Sequence, residues 1–521
     1  MACVGRNTIK KNRMTYWIND YKSMKKITQL VSSLNAYEVK LVQKYYAMSP
    51  KIEHNLKIKL FEIALKNPAI SDFEAAKLLG NRTSAAFSML KTRLQEDIMK
   101  VLIVEGKDKI FTTKYFKARH KVHYLMLEMD ILEDRNLKEQ ATEAILKAKK
   151  IAKKYELVND LVVINDIIIN GHLVRQGGPK MFKKIRKSGI EELKRADDLF
   201  WGTDYFKQMT MPNFNDANKK ITRAERSKLT VEKLQLLSET SDLSRIKFFH
   251  LRSKYAYLID SKLYEDAKNV GLEFISFIST NNVLNTSDNQ GGGHMMVANC
   301  CLNSYQYKEA ILYADKGVDF FYKDSANQIN MLEKKFLSLF YSKEFAEAKI
   351  LSDRIRQLKA VKPGTFLYAK WLYYHANIEF ANADFKSTLK TLKRQSFLKS
   401  DKSGWRLGYR ILELMSLIDL EQYDSIPFRL ETFRKLLRTI TKENVERPKL
   451  MLLLLNRLVK ENFDFRLVSE KHKNELELLQ KADGLYYWDA EGYEVTRFDE
   501  WWATKLTAKR VHPPQRTNSA E

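Results

Sequence analysis

The residues able to do chemistry in this chain are scattered. His120 and His123 stand three apart, which on a helix places both on one side and would suit two ligands of a metal ion. No third ligand is evident nearby, and a structural histidine pair is the simpler reading. The acidic pairs Glu191/Glu192 and Asp197/Asp198 sit amid helical charge patterns and read as solvated faces. The three glycines of "STNNVLNTSDNQGGGH" (279–294) could cradle a phosphate, but the Lys-Ser/Thr of a P-loop does not follow. That stretch reads as a flexible connector. No HExxH, CxxC, GxSxG or Walker sequence occurs. No catalytic residue, metal or cofactor is therefore expected, and the chain is expected not to be an enzyme.

Composition says what must position such residues. Of 521 residues, 44% are hydrophobic and 30% charged, while 18 Gly and 9 Pro leave few turn formers. A sandwich or a doubly wound sheet of this length needs more punctuation, so the chain is expected to be all-α. Three cysteines (Cys3, Cys300, Cys301) build no disulfide framework and fit a reducing compartment. The adjacent pair reads as small core residues. The start carries no apolar stretch of a secretory signal, and the runs "LVVINDIIING" and "MLLLLNRLV" are too short and too interrupted to cross a bilayer. A cytoplasmic protein with no membrane partner is expected. The net charge of +26 attracts polyanions. Denser clusters lie at 9–26, 147–154 and 180–188. At helical spacing Lys147, Lys150 and Lys154 share one face and Ile145, Ala148 and Ala152 another. A solvated lysine face is the plain reading of each cluster, and a nucleic-acid track the alternative.

Four regions follow: an N-terminal helical unit over 1–110, irregular helical hairpins over 111–247, repeats over 248–480, and an aromatic cap with a disordered tail over 481–521. In the first, Ser71 and Glu74 make a capping box, "DFEAAKLLG" ends at Gly80, and a longer helix begins near Thr83 or Ser84. The 72–104 stretch is similar to a helix-turn-helix. That likeness implies Asn81, Arg82, Thr83, Ser84 and Arg93 as nucleic-acid candidates. A helical hairpin without DNA contact is the structural alternative. "NDLVVINDIIINGHLVRQGG" is β-branched, so strand competes with helix; its length and helical neighbours favour helix.

From Phe248 the chain repeats itself. "YEDA" at Tyr264, "YKEA" at Tyr307, "FAEA" at Phe345, "FKST" at Phe385 and "YDSI" at Tyr423 each pair an aromatic with a small or aliphatic residue three places on. The aromatics are 43, 38, 40 and 38 residues apart. Two helices alone cannot bury both their stripes, so each hairpin must cover the next. These residues resemble the tetratricopeptide repeat (TPR) family, with departures: a longer period than 34 residues, little of the Trp-Leu-Gly signature and no closing Pro. The resemblance implies a right-handed TPR-like α-solenoid with a groove that holds a protein or peptide, an acidic one being an option. On residue-by-residue matching it implies Asn299, Asn303, Tyr373 and Asn377 as groove candidates. Asparagines four apart share a helical face and can clamp a peptide backbone as donor and acceptor. The aromatic stretch 484–505 is expected to cap the last repeat. The function so implied is that of a cytoplasmic scaffold or adaptor, with a nucleic-acid-binding regulator as the alternative.

Overall fold

The computed structural model describes residues 24–48, 52–80, 84–105, 113–210, 223–394, 404–439 and 445–507. Among these are twenty-four α-helices and no β-strand, as a chain poor in Gly and Pro predicts. No described helix is long and apolar enough to cross a membrane. Contacts divide the chain into two compact units, Met1–Leu193 and Lys194–Glu521.

The first unit opens with α1 (Met24–Ser33), α2 (Ala36–Ala47), α3 (Ile52–Lys66), α4 (Asp72–Leu78) and α5 (Ser84–Glu105). Their core holds Leu60, Phe61, Leu94 and Ile98. The expected capping box forms: Glu74 N–H donates to Ser71 Oγ at 3.3 Å and Ser71 N–H to Glu74 Oε2 at 3.0 Å. Gly80 takes φ +88°, a conformation that excludes most side chains. Buried Lys57 pairs with Asp97 at 2.6 Å, and buried Lys91 with Asp72 at 2.9 Å. Then come α6 (Lys114–Asp134), α7 (Lys138–Lys154), α8 (Val158–Asn170) and α9 (His172–Thr210). The β-branched run is helix α8: Val158, Leu161, Ile164 and Ile168 are buried at helical spacing. Inside α9, Gly178 leaves helical geometry (φ 59°, ψ −157°) directly before Pro179, because the residue ahead of a proline is pushed out of the α region. The boundary between the units falls within α9.

After α10 (Arg223–Thr240), the second unit is a series of helix pairs, each packed on the next. The pairs are α11 (Ser244–Asp260) with α12 (Tyr264–Thr280), α13 (Ser287–Asn303) with α14 (Tyr307–Val318), and α15 (Ala326–Tyr341) with α16 (Phe345–Arg356). α17 (Phe366–Ala381) with α18 (Phe385–Lys393) and α19 (Trp405–Asp419) with α20 (Ile426–Thr439) continue them. α21 (Glu446–Lys460), α22 (Phe465–Lys471), α23 (Lys473–Lys481) and α24 (Phe498–Thr507) follow. The small and aliphatic residues of the repeat, Ala267, Ala310, Ala348, Thr388 and Ile426, are all fully buried. The aromatics Tyr264, Tyr307, Phe345 and Phe385 start the second helices, and Tyr423 opens a 3-10 turn directly ahead of α20. Tyr307 packs on Tyr341 at 5.5 Å, Phe345 on Phe340 at 5.4 Å and Phe385 on Phe380 at 5.2 Å between ring centroids. One apolar cluster runs from Val297 to Trp502.

A single turn type joins the two helices of each pair, and it uses almost no glycine. Lys262, Tyr305, Lys343, Ala383 and Glu421 all sit at φ between 57° and 65°. The next N–H reaches back five residues, as from Gln306 to Cys301 O (2.8 Å) and from Glu344 to Leu339 O (2.9 Å). This is the bond that closes a helix ending in a left-handed residue. Each non-glycine residue there costs roughly 1 kcal/mol of backbone strain. We predict that Ala383→Gly, at an exposed turn, raises stability by about 0.5–1 kcal/mol, read as an upward shift in urea midpoint.

The triple glycine is not the flexible connector expected from the sequence but part of helix α13. A Cβ on Gly291 would meet the Phe321 ring at 2.7 Å, and one on Gly293 would meet Ile275 Cγ1 at 2.7 Å. Close packing holds this weak helix former in a helix. The adjacent His294 stacks on Phe320 at 5.7 Å, and burial, then Lys316, holds its imidazole below its ordinary value of 6.5. A base with a depressed folded pKa favours the fold above its unfolded pKa and opposes it as pH falls below. Thermal stability of the second unit should therefore drop as pH falls through about 6.5, and His294→Gln should flatten that slope. Cys300 and Cys301 are buried and free, and burial pushes both thiols up to about 12, as small core residues.

Candidate functional site

The first helices of the pairs, together with the turns that follow them, present one face on which the aromatic segment of the same chain lies. Tyr487 Oη is 2.7 Å from Tyr264 Oη, and Lys262 Nζ sits 3.3 Å above the Tyr487 ring. Trp488 stacks on Tyr305 and meets Tyr341 edge-on at 5.1 Å. Tyr341 Oη donates to Ala490 O at 2.8 Å, and Tyr373 Oη to Tyr493 O at 2.6 Å. Asn377 Oδ1 accepts from Thr496 N at 3.1 Å and from Thr496 Oγ1 at 2.8 Å. Its Nδ2 donates to Tyr373 O at 2.8 Å, which fixes the amide. Beyond this, Trp502 packs on Phe465 at 4.7 Å and donates to Ser469 Oγ at 2.9 Å, at the end of the helix series. The aromatic segment thus touches the last helices and also runs back along the face as far as Tyr264.

Arg447, 4% exposed, anchors that segment. It donates to Glu494 at 2.6 and 2.9 Å, to Asp499 at 2.6 Å and to the carbonyl of Leu479 at 2.7 Å. Burial alone would lower its pKa; the two carboxylates outweigh it and hold the guanidinium above its ordinary value.

Beside Glu491 the same face opens into a cavity of about 580 Å³. Phe206, Met209, Met295 and Met296 form its apolar wall; Arg252, Asn299, Asn330, Glu333, Lys334 and Lys370 supply polar groups. Most of these are paired. Lys370 Nζ lies 2.5 Å from Glu333 and 4.6 Å from the Trp405 ring centroid. Lys334 pairs with Glu491 and donates to Asn299 Oδ1 at 2.9 Å, while Asn299 Nδ2 donates to Tyr255 Oη at 3.1 Å. Among the three cations, Arg252 is the exception. It has no carboxylate or hydrogen-bond partner among the described residues and only the Phe248 ring at 5.8 Å. Burial holds its guanidinium below the ordinary value, with the Tyr255 phenol pulling the other way. Gly292 leaves room beside it; a Cβ there would lie 3.7 Å from Arg252 Nη1.

The groove candidates thus divide. Tyr373 and Asn377 hold the chain's own backbone, and Asn299 lines the open cavity. Asn303 donates to Asn299 O at 2.9 Å and positions that residue instead of lining the space. The reason is register. Asn377 and Asn299 each precede their repeat aromatic by eight residues, whereas Asn303 lies one turn further on. The same register could have found residues that sequence reasoning missed. Arg252, Met295 and Glu333 stand twelve residues before Tyr264, Tyr307 and Phe345, as Tyr373 stands before Phe385.

Of the nucleic-acid candidates, Asn81, Arg82 and Thr83 lie outside the described residues, as does the tail expected to be disordered. Ser84 and Arg93 are both exposed on α5. Nine positions make two and a half turns, so they face opposite sides of that helix. His123 Nε2 lies 2.8 Å from Asp160, and no group of three metal-ligating side chains forms among the described residues. Compared with known proteins, the chain matches no family model, no curated protein and no solved structure.

Proposed function

We propose that the protein is a non-enzymatic scaffold whose second unit, a right-handed TPR-like solenoid, binds an acidic peptide or protein segment on the face of its first helices. Arg252 carries this reading. A half-buried guanidinium without a counter-charge is costly to keep, and a ligand carboxylate would relieve that cost through two parallel hydrogen bonds. The polar groups of the cavity sum to one surplus positive charge, with three cations against Glu333 and Glu491. That balance suits a single carboxylate better than a doubly charged group. The neighbouring stretch supports a peptide as the carrier, since Tyr341, Tyr373 and Asn377 already bind backbone carbonyl and amide groups there. The segment 486–497 acts in this reading as an internal ligand as well as a cap.

Random peptides displayed on phage and selected on the full chain test the reading. Selected sequences should be rich in Asp or Glu, and Arg252→Gln should weaken them by about tenfold or more. Selection of neutral sequences, or affinities indifferent to Arg252, would sink it.

A further inference from the structure

Two basic stretches far apart in the chain meet in the first unit. Ile185 of α9 is buried in the same core as Ala148 and Ala152 of α7, which draws the flanks of the two helices together. Lys149 Nζ then lies 3.4 Å from Ser188 Oγ and 2.5 Å from Asn165 Oδ1. On α7, Lys149 and Lys153 are four apart and share a face; on α9, Lys180, Lys184 and Ser188 do the same. Lys153, Lys180, Lys184 and Lys187 are exposed. Burial, then Lys153, lowers the pKa of Lys149; the buried Glu192 opposes this, and Lys184 adds to it. Asn165, 2% exposed, has an Nδ2 with no hydrogen-bond partner. The seam therefore gathers several lysines around one buried carboxylate, Glu192, and the repulsion that this single charge leaves uncompensated is relieved when a further anion covers it.

We propose that the α7–α9 seam is a docking surface for the phosphate backbone of nucleic acid. Charge complementarity selects this partner. Amino groups four residues apart recur about every 6 Å along a helix, a row that a chain of regularly spaced single charges can follow. Lysines on flexible stems neutralise phosphates without reading bases, so binding is indifferent to sequence. The seam lies wholly in the first unit and is independent of the peptide site in the second.

The test is fluorescence anisotropy of the full chain with labelled single-stranded RNA, single-stranded DNA and duplex DNA. Four phosphates neutralised imply that affinity for a single strand falls about fifty-fold between about 50 and 200 mM salt. Lys153→Glu with Lys184→Glu should lower affinity by about tenfold or more, and so should Lys180→Glu with Lys187→Glu. The arginine versions should retain it. Lys359→Glu with Lys362→Glu, the same charge change in the second unit, should leave it unaltered. Absence of binding at the low salt, equal loss in the control pair, or binding to phosphatidylserine vesicles but to no nucleic acid would each overturn the proposal.

Discussion

Gly408→Ala should release the segment 488–497 from the face that holds it. A Cβ at this position would stand 2.1 Å from Tyr493 O and 2.6 Å from Tyr373 Oη. Neither obstacle is the end of a loose side chain. One is a backbone carbonyl, and the other is the hydroxyl that donates to it at 2.6 Å. Two effects oppose each other. Alanine is the better helix former by about 1 kcal/mol, whereas overpacking a closed contact costs about 1–3 kcal/mol. The second wins, because the carbonyl cannot move aside without losing Tyr373 and pulling Thr496 from Asn377. Helicity should remain, since α19 itself gains. Proteolysis within 484–497 should accelerate and Trp488 emission should shift to the red. A variant as protease-resistant as the parent would show that the segment does not depend on this close approach. Under the peptide-binding reading, the same variant should bind selected peptides more tightly, as the internal ligand no longer competes.

Arg447→Met should cost about 3–5 kcal/mol in the second unit, because it strands a buried carboxylate. Asp499 keeps a partner in Arg497 at 2.6 Å. Glu494, 6% exposed, retains only neutral donors such as Phe498 N–H at 2.9 Å. The carbonyls of Leu479 and Tyr486 also lose their donor. Adding Glu494→Gln should recover most of the loss, since a buried ion pair replaced by neutral groups is often nearly isoenergetic. The check is a double-mutant cycle by urea unfolding. A single variant that costs no more than the double would mean that the pair contributes packing and not charge compensation.

The sequence by itself determined that the chain is helical and that neighbouring helices pack on one another. Ala267, Ala310 and Ala348, recurring three residues after an aromatic, announce where helices approach closely, and all three are fully buried. Likewise Ile145, Ala148 and Ala152 face the core while Lys147, Lys150 and Lys154 are exposed, because period and polarity together define the buried stripe of a helix. These signals are local, so they are legible without the fold.

What only the tertiary structure decided depends on residues far apart in the chain. The turns were obscure because Lys262, Tyr305 and Lys343 take the left-handed conformation that glycine usually marks. The glycines that looked like a loop, 291–293, lie in a helix because Phe321 and Ile275 require their small size. Nothing near Asn377 in sequence says that Thr496, more than a hundred residues on, will satisfy it. Nor does anything near Arg252 say that its neighbours Lys334 and Lys370 will find carboxylates while it does not. Periodicity reports which face of a helix is buried, whereas the pairing of charges across that face is settled only when the hairpins stack.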